Sequence, residues 1–254
     1  MPDLSVVTPV YNSARYLDAT LDSVARLTVS HEHIVVDGGS TDGTVALLES
    51  REDPALTWVS EPDRGQTHAV NKGFERARGE LLGWLNGDDE YVSEAVDGAV
   101  TYLLAHPELD AIFGGMDITD EDGRLRREYR PAEFSWRRYL YLGDYITTPT
   151  IIFRRRLLER GGLLDESYVD AADYDFFLRL FRNARVERRA EALVRFRYHP
   201  ESKTARDAFR GQDEALAIRL KWARRPHQRL VMKGIDRAKR LILPRISAWP
   251  RMFP

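Results

Sequence analysis

His33-Ile34-Val35-Val36-Asp37-Gly38-Gly39-Ser40-Thr41-Asp42-Gly43-Thr44 passes from an unbroken apolar run, through a glycine-rich turn, into a segment of helical period. A short apolar run bounded by turn residues reads as a strand buried on both faces, the kind found in parallel sheets. We therefore expect a strand over 33–37, a turn that presents Asp37 beyond the strand end, and a helix over 41–50 capped by Ser40 or Thr41. The ordinary role of Gly and Asp in tight turns accounts for the same segment without any ligand. The turn is not a phosphate loop. Neither the Walker pattern nor G-x-G-x-x-G occurs in the chain, which argues against a P-loop ATPase and an ordinary NAD enzyme.

The same strand-then-helix unit repeats on either side. Strands are expected over 4–9, 56–60 and 81–85, and helices over 13–27, 67–78 and 93–106. The helix over 13–27 carries Tyr16, Leu17, Leu21 and Val24 on one stripe, with Asn12 or Ser13 as its cap. Four such units imply an α/β fold with a mainly parallel sheet flanked by helices. In open sheets of this kind ligands sit outside the carboxyl ends of the strands, so the loops after Pro9, Asp37, Ser60 and Leu85 are expected to share one crevice. Beyond residue 110 the rhythm changes. Segments 111–120 and 124–129 flank Glu121-Asp122-Gly123 and read as a small antiparallel pair. A strand over 151–153, a helix over 173–182, a strand over 192–198 and a helix over 204–225 follow.

With 254 residues, 43% apolar and 31% charged, the chain can bury a sizeable core as one large domain, or one with a small appendage. No apolar run is long enough to span a membrane and the first residues lack a secretory pattern, so we expect a soluble, unexported, cytoplasmic protein. The absence of cysteine rules out disulfides and thiolate zinc sites. The net charge of −2 conceals an asymmetry: residues 219–254 hold eleven basic residues against one acid, Asp236, leaving residues 1–218 at −12. A globally basic nucleic-acid binder is thereby disfavoured. We divide the chain into a catalytic domain over 1–218, with halves meeting near residue 110, and a basic amphipathic extension over 219–254. Leu230, Val231, Ile235 and Leu241 lie among the basic residues of that extension, a mixture that suits an anionic membrane surface at the inner face of the membrane. Prolines at 226, 244, 250 and 254 interrupt it and leave no clean helical stripe, so a helix docked on the catalytic domain or a homo-oligomer contact remains the competing reading.

Acidic groups at strand ends carry the candidate chemistry. Trp84-Leu85-Asn86-Gly87-Asp88-Asp89 puts two carboxylates and a carboxamide at the mouth of the expected crevice, oxygen ligands that suit Mg²⁺ or Mn²⁺; Asp is equally at home at a solvated helix start. Asp170-Ala171-Ala172-Asp173-Tyr174-Asp175 opens an apolar helix, and Asp173 or Asp175 could act as general base, with helix-terminus electrostatics as the alternative. His199, followed by Ser202, Lys203 and Thr204, could touch phosphate.

Taken together, these segments resemble the family 2 glycosyltransferases from about Leu4 to Thr204. Ser5-Val6-Val7-Thr8-Pro9-Val10-Tyr11-Asn12 is similar to the family's opening strand and loop, and Asp37 to Thr44 to its base-recognition loop. Ser60-Glu61-Pro62-Asp63-Arg64-Gly65-Gln66, leading to Asn71-Lys72-Gly73, resembles its third segment, and Gly79 to Asp89 stands where the family carries its DxD motif. The resemblance implies a GT-A (Rossmann-like) fold, a nucleotide-diphosphate sugar donor with a UDP-sugar first in line, a saccharide or lipid-linked hydroxyl acceptor, a divalent metal (Mn²⁺ or Mg²⁺) and inversion at the anomeric carbon, in cell-surface polysaccharide or glycolipid assembly. By position it implies that Tyr11 stacks on the base, Asp37 hydrogen-bonds it, and Thr8, Pro9, Gly65, Gln66, Asn86, Gly87 and Asp88 line the donor site. It also implies that Asp88 and His199 meet the metal and that Asp173 is the base, with Asp89, Lys203 and Asp175 as further candidates. Asn86 replaces the first acid of the DxD pattern and Ala172 a commonly acidic neighbour of the base. A degenerate member that binds nucleotide sugar, or scaffolds an assembly, without turnover is the alternative reading.

Overall fold

Val10, Asp37 and Ser60 lie side by side at the ends of three parallel strands: β1 (Leu4–Val10), β2 (His31–Asp37) and β3 (Leu56–Ser60). β4 (Leu81–Trp84) joins β1 on its other side, also parallel. The computed structural model of the chain describes residues 1–143, 145–202 and 210–246, the side chains of 210 and 241–246 excepted. Nine strands form one sheet among these residues, in the order β3-β2-β1-β4-β8-β6-β9-β5. β8 (Ile151–Arg154) runs antiparallel between β4 and β6 (Ala111–Thr119), so β6 points the same way as β4, and the long β9 (Val186–Arg197) lies parallel to β6. The two-residue β5 (Glu90–Tyr91) closes the edge, and β7 (Leu125–Tyr129) pairs with β6 off the main path.

The apolar runs form strands because both faces of the sheet are covered. Val7, Ile34 and Val36 enter the larger core with α3 (Gln66–Arg76), α5 (Trp136–Leu142), α6 (Arg155–Gly161) and α7 (Ala172–Leu180). Leu4 and Val6 face the opposite side with α4 (Ser93–Ala105), and Val35 packs with α1 (Leu17–Ala25) and α2 (Thr44–Glu49). Both α1 and α2 start later than their sequence period suggests, because their leading residues are spent joining the two loops. Asn12, Ser13 and Ala14 donate their backbone N–H groups to Ser40 Oγ, Thr44 Oγ1 and Asp42 Oδ2. β9 begins six residues before the expected strand; its first half is polar and only half-buried, so it has no apolar alternation to read.

The C-terminal region corrects a sequence expectation. α8 (Arg210–Trp222) is followed by α9 (Pro226–Ile246), one continuous helix in spite of its prolines. Pro226 opens the helix, where a missing N–H costs nothing, and Pro244 falls in its last turn. α9 does have an inward stripe: Met232 is fully buried in the main core and Asp236 is 5% exposed. The boundary drawn at 218/219 falls inside α8. No helix of the described residues is long and apolar enough to cross a membrane.

Candidate active site

The loops that follow β1, β2, β3 and β4 leave from one edge of the sheet, as the strand order and register require. Tyr11 stands immediately beyond β1 with 65% of its surface exposed, and Asn12 beside it takes a left-handed conformation, φ 50°. The Asn12 side chain then accepts from Thr41 N at 2.9 Å, tying the first loop to the second. Asp37 has no exposed surface. Its Oδ2 accepts from Ser40 N (2.9 Å), Gly39 N (3.2 Å) and Ser60 Oγ (2.6 Å), and its Oδ1 from Ser40 Oγ. A carboxylate so enclosed fixes the shape of the loop through Oδ2, while Oδ1, with one partner, retains a further acceptor site. Thr8 and Pro9 are likewise buried, and the Thr8 hydroxyl pairs with His33 Nε2 at 2.9 Å inside the sheet. Burial pushes His33 down to about 3, so it is a neutral core histidine.

Beyond β4 the residue types separate by partner. Asn86 Oδ1 accepts from Trp84 Nε1 and from Gln66 Nε2, both at 3.1 Å, so the exposed start of α3 at Gly65 and Gln66 is joined to the β4 loop. Gly87 is required by space: a Cβ there would meet Val10 Cγ1 at 2.6 Å. Asp88 and Asp89 are adjacent and have opposite fates. Asp89 is 1% exposed; its carboxylate accepts from Arg197 N at 3.0 Å and Asn86 Nδ2 at 3.1 Å, locking the turn against β9. Burial, and after it the charge of Asp88, pushes its carboxyl well above the usual range against those hydrogen bonds. Asp88 keeps 32% of its side chain exposed, and its Oδ2 lies 3.1 Å from Nε2 of His199, which arrives from the end of β9. The imidazole ring rests on Tyr16, centroids 4.6 Å apart, and Arg197 lies over the same Tyr16 ring at 5.1 Å.

Asp88 and His199 thus bring one oxygen and one nitrogen donor together. The described residues contain no group of three or more His, Asp or Glu that could hold a metal by themselves. A divalent ion that completes its coordination with phosphate oxygens fits this two-residue set.

Asp173 lies in the first turn of α7, half-buried, with Thr148 Oγ1 donating to its Oδ2 and the Tyr174 N–H to its Oδ1, both at 2.8 Å. Thr148 belongs to a 3-10 turn (Thr148–Thr150) packed against β4, β6 and β9, which brings Asp173 to the same strand system as Asp88. Asp175 points elsewhere: two residues on, it is 8% exposed and ion-paired with Arg179 at 2.7 Å, whose guanidinium also holds the Leu163 carbonyl. The structure therefore removes Asp175 from the candidate bases and makes it a packing residue. Lys203 lies outside the described residues. Thr148, Tyr16 and Arg197 were missed from sequence; the Thr147-Thr148-Pro149-Thr150 cluster ahead of β8 was the one available signal for the first.

A family model described as glycosyl transferase family 2 matches residues 5–163. An uncharacterized glycosyltransferase of Mycobacterium tuberculosis is 35% identical over 182 residues, covering 70% of this chain and 68% of that protein. EpsJ of Bacillus subtilis, an uncharacterized glycosyltransferase, is 31% identical over 228 residues, covering 80% of this chain and 63% of EpsJ. Among solved structures, S. aureus TarS 1–349 in complex with UDP-GlcNAc superposes with a TM-score of 0.69 at 22% identity, covering 92% of this chain and 71% of the other. The mannosyltransferase PcManGT from Pyrobaculum calidifontis, in complex with GDP-Man and Mn²⁺, superposes with a TM-score of 0.66 at 22% identity, covering 94% and 69%. At that identity the two structures share the fold.

Proposed function

This chain belongs to glycosyl transferase family 2 and is a nucleotide-sugar-dependent glycosyltransferase of GT-A type, and from that premise we propose that it moves a sugar, with inversion, from a nucleotide diphosphate donor at the strand ends to a hydroxyl acceptor beside Asp173. The observation that carries the proposal is the division of labour among carboxylates. Of the five aspartates singled out for the site, Asp37, Asp89 and Asp175 are enclosed, whereas Asp88 beside His199 and Asp173 beside Thr148 keep access to solvent.

Residues 1–110 would hold the donor, with Tyr11 free to stack on the base and the Asp37 loop as its platform; residues 111–218 would hold the acceptor. A UDP-sugar is the donor proposed first, supported by the UDP-GlcNAc and GDP-Man complexes of the structural neighbours. Asp88 and His199 would hold Mn²⁺ or Mg²⁺, which neutralises the charge growing on the departing diphosphate. Asp173 needs only lone pairs aimed at the acceptor hydroxyl. Thr148 and the Tyr174 N–H fix its rotamer while each carboxylate oxygen retains a further acceptor site for the incoming proton. A single displacement of this kind calls for no protein nucleophile, and a base on the face opposite the leaving group gives inversion.

We place the protein at the cytoplasmic side of a membrane, acting on a saccharide or lipid-linked acceptor in cell-surface polysaccharide or glycolipid assembly. The test is Asp88→Asn. Mn²⁺-dependent nucleotide-sugar binding, followed by thermal shift and calorimetry, should fall by more than about tenfold, the scale lost when even an outer partner of a metal ligand is removed. The fold should persist, because Asp88 is part-exposed rather than core. Unchanged Mn²⁺ dependence overturns the assignment. Donor binding without turnover in the wild type would favour a degenerate, scaffolding member, the reading suggested by Asn86 at the first DxD position.

A further inference from the structure

The helix that carries Asp173 has no cap of its own. Ala171 stands at the cap position and Ala172 opens the helix, and neither has a side chain able to accept from the first N–H groups of α7. The segment leading into it is held instead from 43 residues downstream of Ala171. Three consecutive backbone N–H groups, those of Val169, Asp170 and Ala171, converge on the Glu214 carboxylate of α8, at 3.1 Å to Oε1 for the first and at 2.8 and 2.9 Å to Oε2 for the others. Successive N–H groups turned toward one anion form a nest, and a negative charge at this end of α7 also meets the helix dipole favourably.

Two further contacts press α8 onto the same segment. Gly211, in the first turn of α8, lies so close that a Cβ there would meet the Asp170 carbonyl oxygen at 3.3 Å, and Lys221 Nζ bonds Tyr168 Oη at the other end. α8 is in turn anchored by Arg219, buried and bonded to Asp236 of α9 at 2.9 Å.

We infer that Glu214 is a positioning residue for the base: its carboxylate, delivered from α8, fixes the backbone of residues 169–171 and with it the start of α7 and the direction of the Asp173 side chain. This rests on Asp173 acting as the base. Removing the clamp lets the 169–171 backbone turn its N–H groups to water, and Asp173 then samples orientations away from the acceptor. Misplacement by about 1 Å at a reacting centre can cost roughly 100-fold in rate. The donor site lies on other loops and is untouched.

The test compares Glu214→Gln, Glu214→Ala and Asp173→Asn in Mn²⁺-dependent donor hydrolysis, with water as acceptor. The probe is whichever of UDP-GlcNAc, UDP-glucose and GDP-mannose most raises the melting temperature of the wild type. Glu214→Ala should lower kcat by about 100-fold, and Glu214→Gln, which keeps one acceptor oxygen but loses the charge, by about tenfold, with KM for the donor unchanged in both. Amide hydrogen exchange at 169–171 should quicken in step. A purely structural Glu214 would lower the melting temperature and leave kcat per folded molecule at the wild-type value. That result in Glu214→Gln, the variant of unchanged shape, overturns the inference even where Glu214→Ala does not fold. Retained hydrolysis in Asp173→Asn overturns the base assignment instead; loss there with normal turnover in Glu214→Gln overturns only the clamp.

Discussion

Glu32 shows what one carboxylate does when the fold encloses it. Buried in β2, it accepts from Ser5 Oγ and Arg78 N at 2.6 Å and from the Arg78 guanidinium at 2.9 and 3.0 Å. Burial alone would push its carboxyl up; the hydrogen bonds from Ser5 and Arg78 outweigh that and hold it below the usual Glu range. A depressed folded-state pKa contributes stability above the unfolded-state value, and that contribution disappears as pH falls through the folded-state value. Glu32→Gln should therefore be less stable by about 1–3 kcal/mol at pH 7, and urea unfolding at decreasing pH should show the gap to wild type closing below about pH 4. A gap independent of pH contradicts this. The same principle explains what was legible in the sequence at this scale. Acidic residues at strand ends could be read off; which of them stay accessible could not. Asp37 is held by Ser60 from the neighbouring strand β3, Asp89 by Arg197 from a strand more than a hundred residues away, and Asp175 by Arg179.

At the scale of elements, the first half of the chain was readable because its central strands, β1, β2 and β4, are buried on both faces and so carry short apolar runs, Val6-Val7, Ile34-Val35-Val36 and Leu81-Leu82, between turn residues. The second half was less so. α5 and α6 are seven residues each, too short to show a period, and the stripe of α9 is carried by Met232 and the ion-paired Asp236 rather than by a row of leucines. Asp236 accepts from Arg219 Nη2 at 2.9 Å and from Arg240 Nε at 2.8 Å. Arg219 is 2% exposed, so removing its partner strands a buried charge. Asp236→Ala should destabilise the protein by about 3–5 kcal/mol, measured by guanidinium unfolding; a loss under about 1 kcal/mol would mean that α8 and α9 are only loosely docked.

At the scale of the whole molecule, the charge asymmetry was visible in the sequence and its placement was not. Because the lone acid of residues 219–254 faces inward, the outer face of α9 shows Arg229, Lys233 and Arg237 with Leu230 (71% exposed) and Val231 (49% exposed), and no carboxylate. Such a face suits anionic lipid headgroups at about 1 kcal/mol per basic residue. Reversing Arg229, Lys233 and Arg237 to Glu should reduce cosedimentation with phosphatidylserine vesicles by roughly 100-fold or more. Equal binding rules the contact out. Charge reversal is preferable to deleting 226–254, since deletion would also strip Arg219 of Asp236. The proposed reaction is one displacement, with Asp173 on the face opposite the leaving diphosphate. It is tested most directly by proton NMR of Mn²⁺-dependent hydrolysis of an α-linked nucleotide sugar, reading the first free anomer before mutarotation. The wild type should release the β-anomer first and Asp173→Asn should release nothing; the α-anomer appearing first would rule out a single displacement.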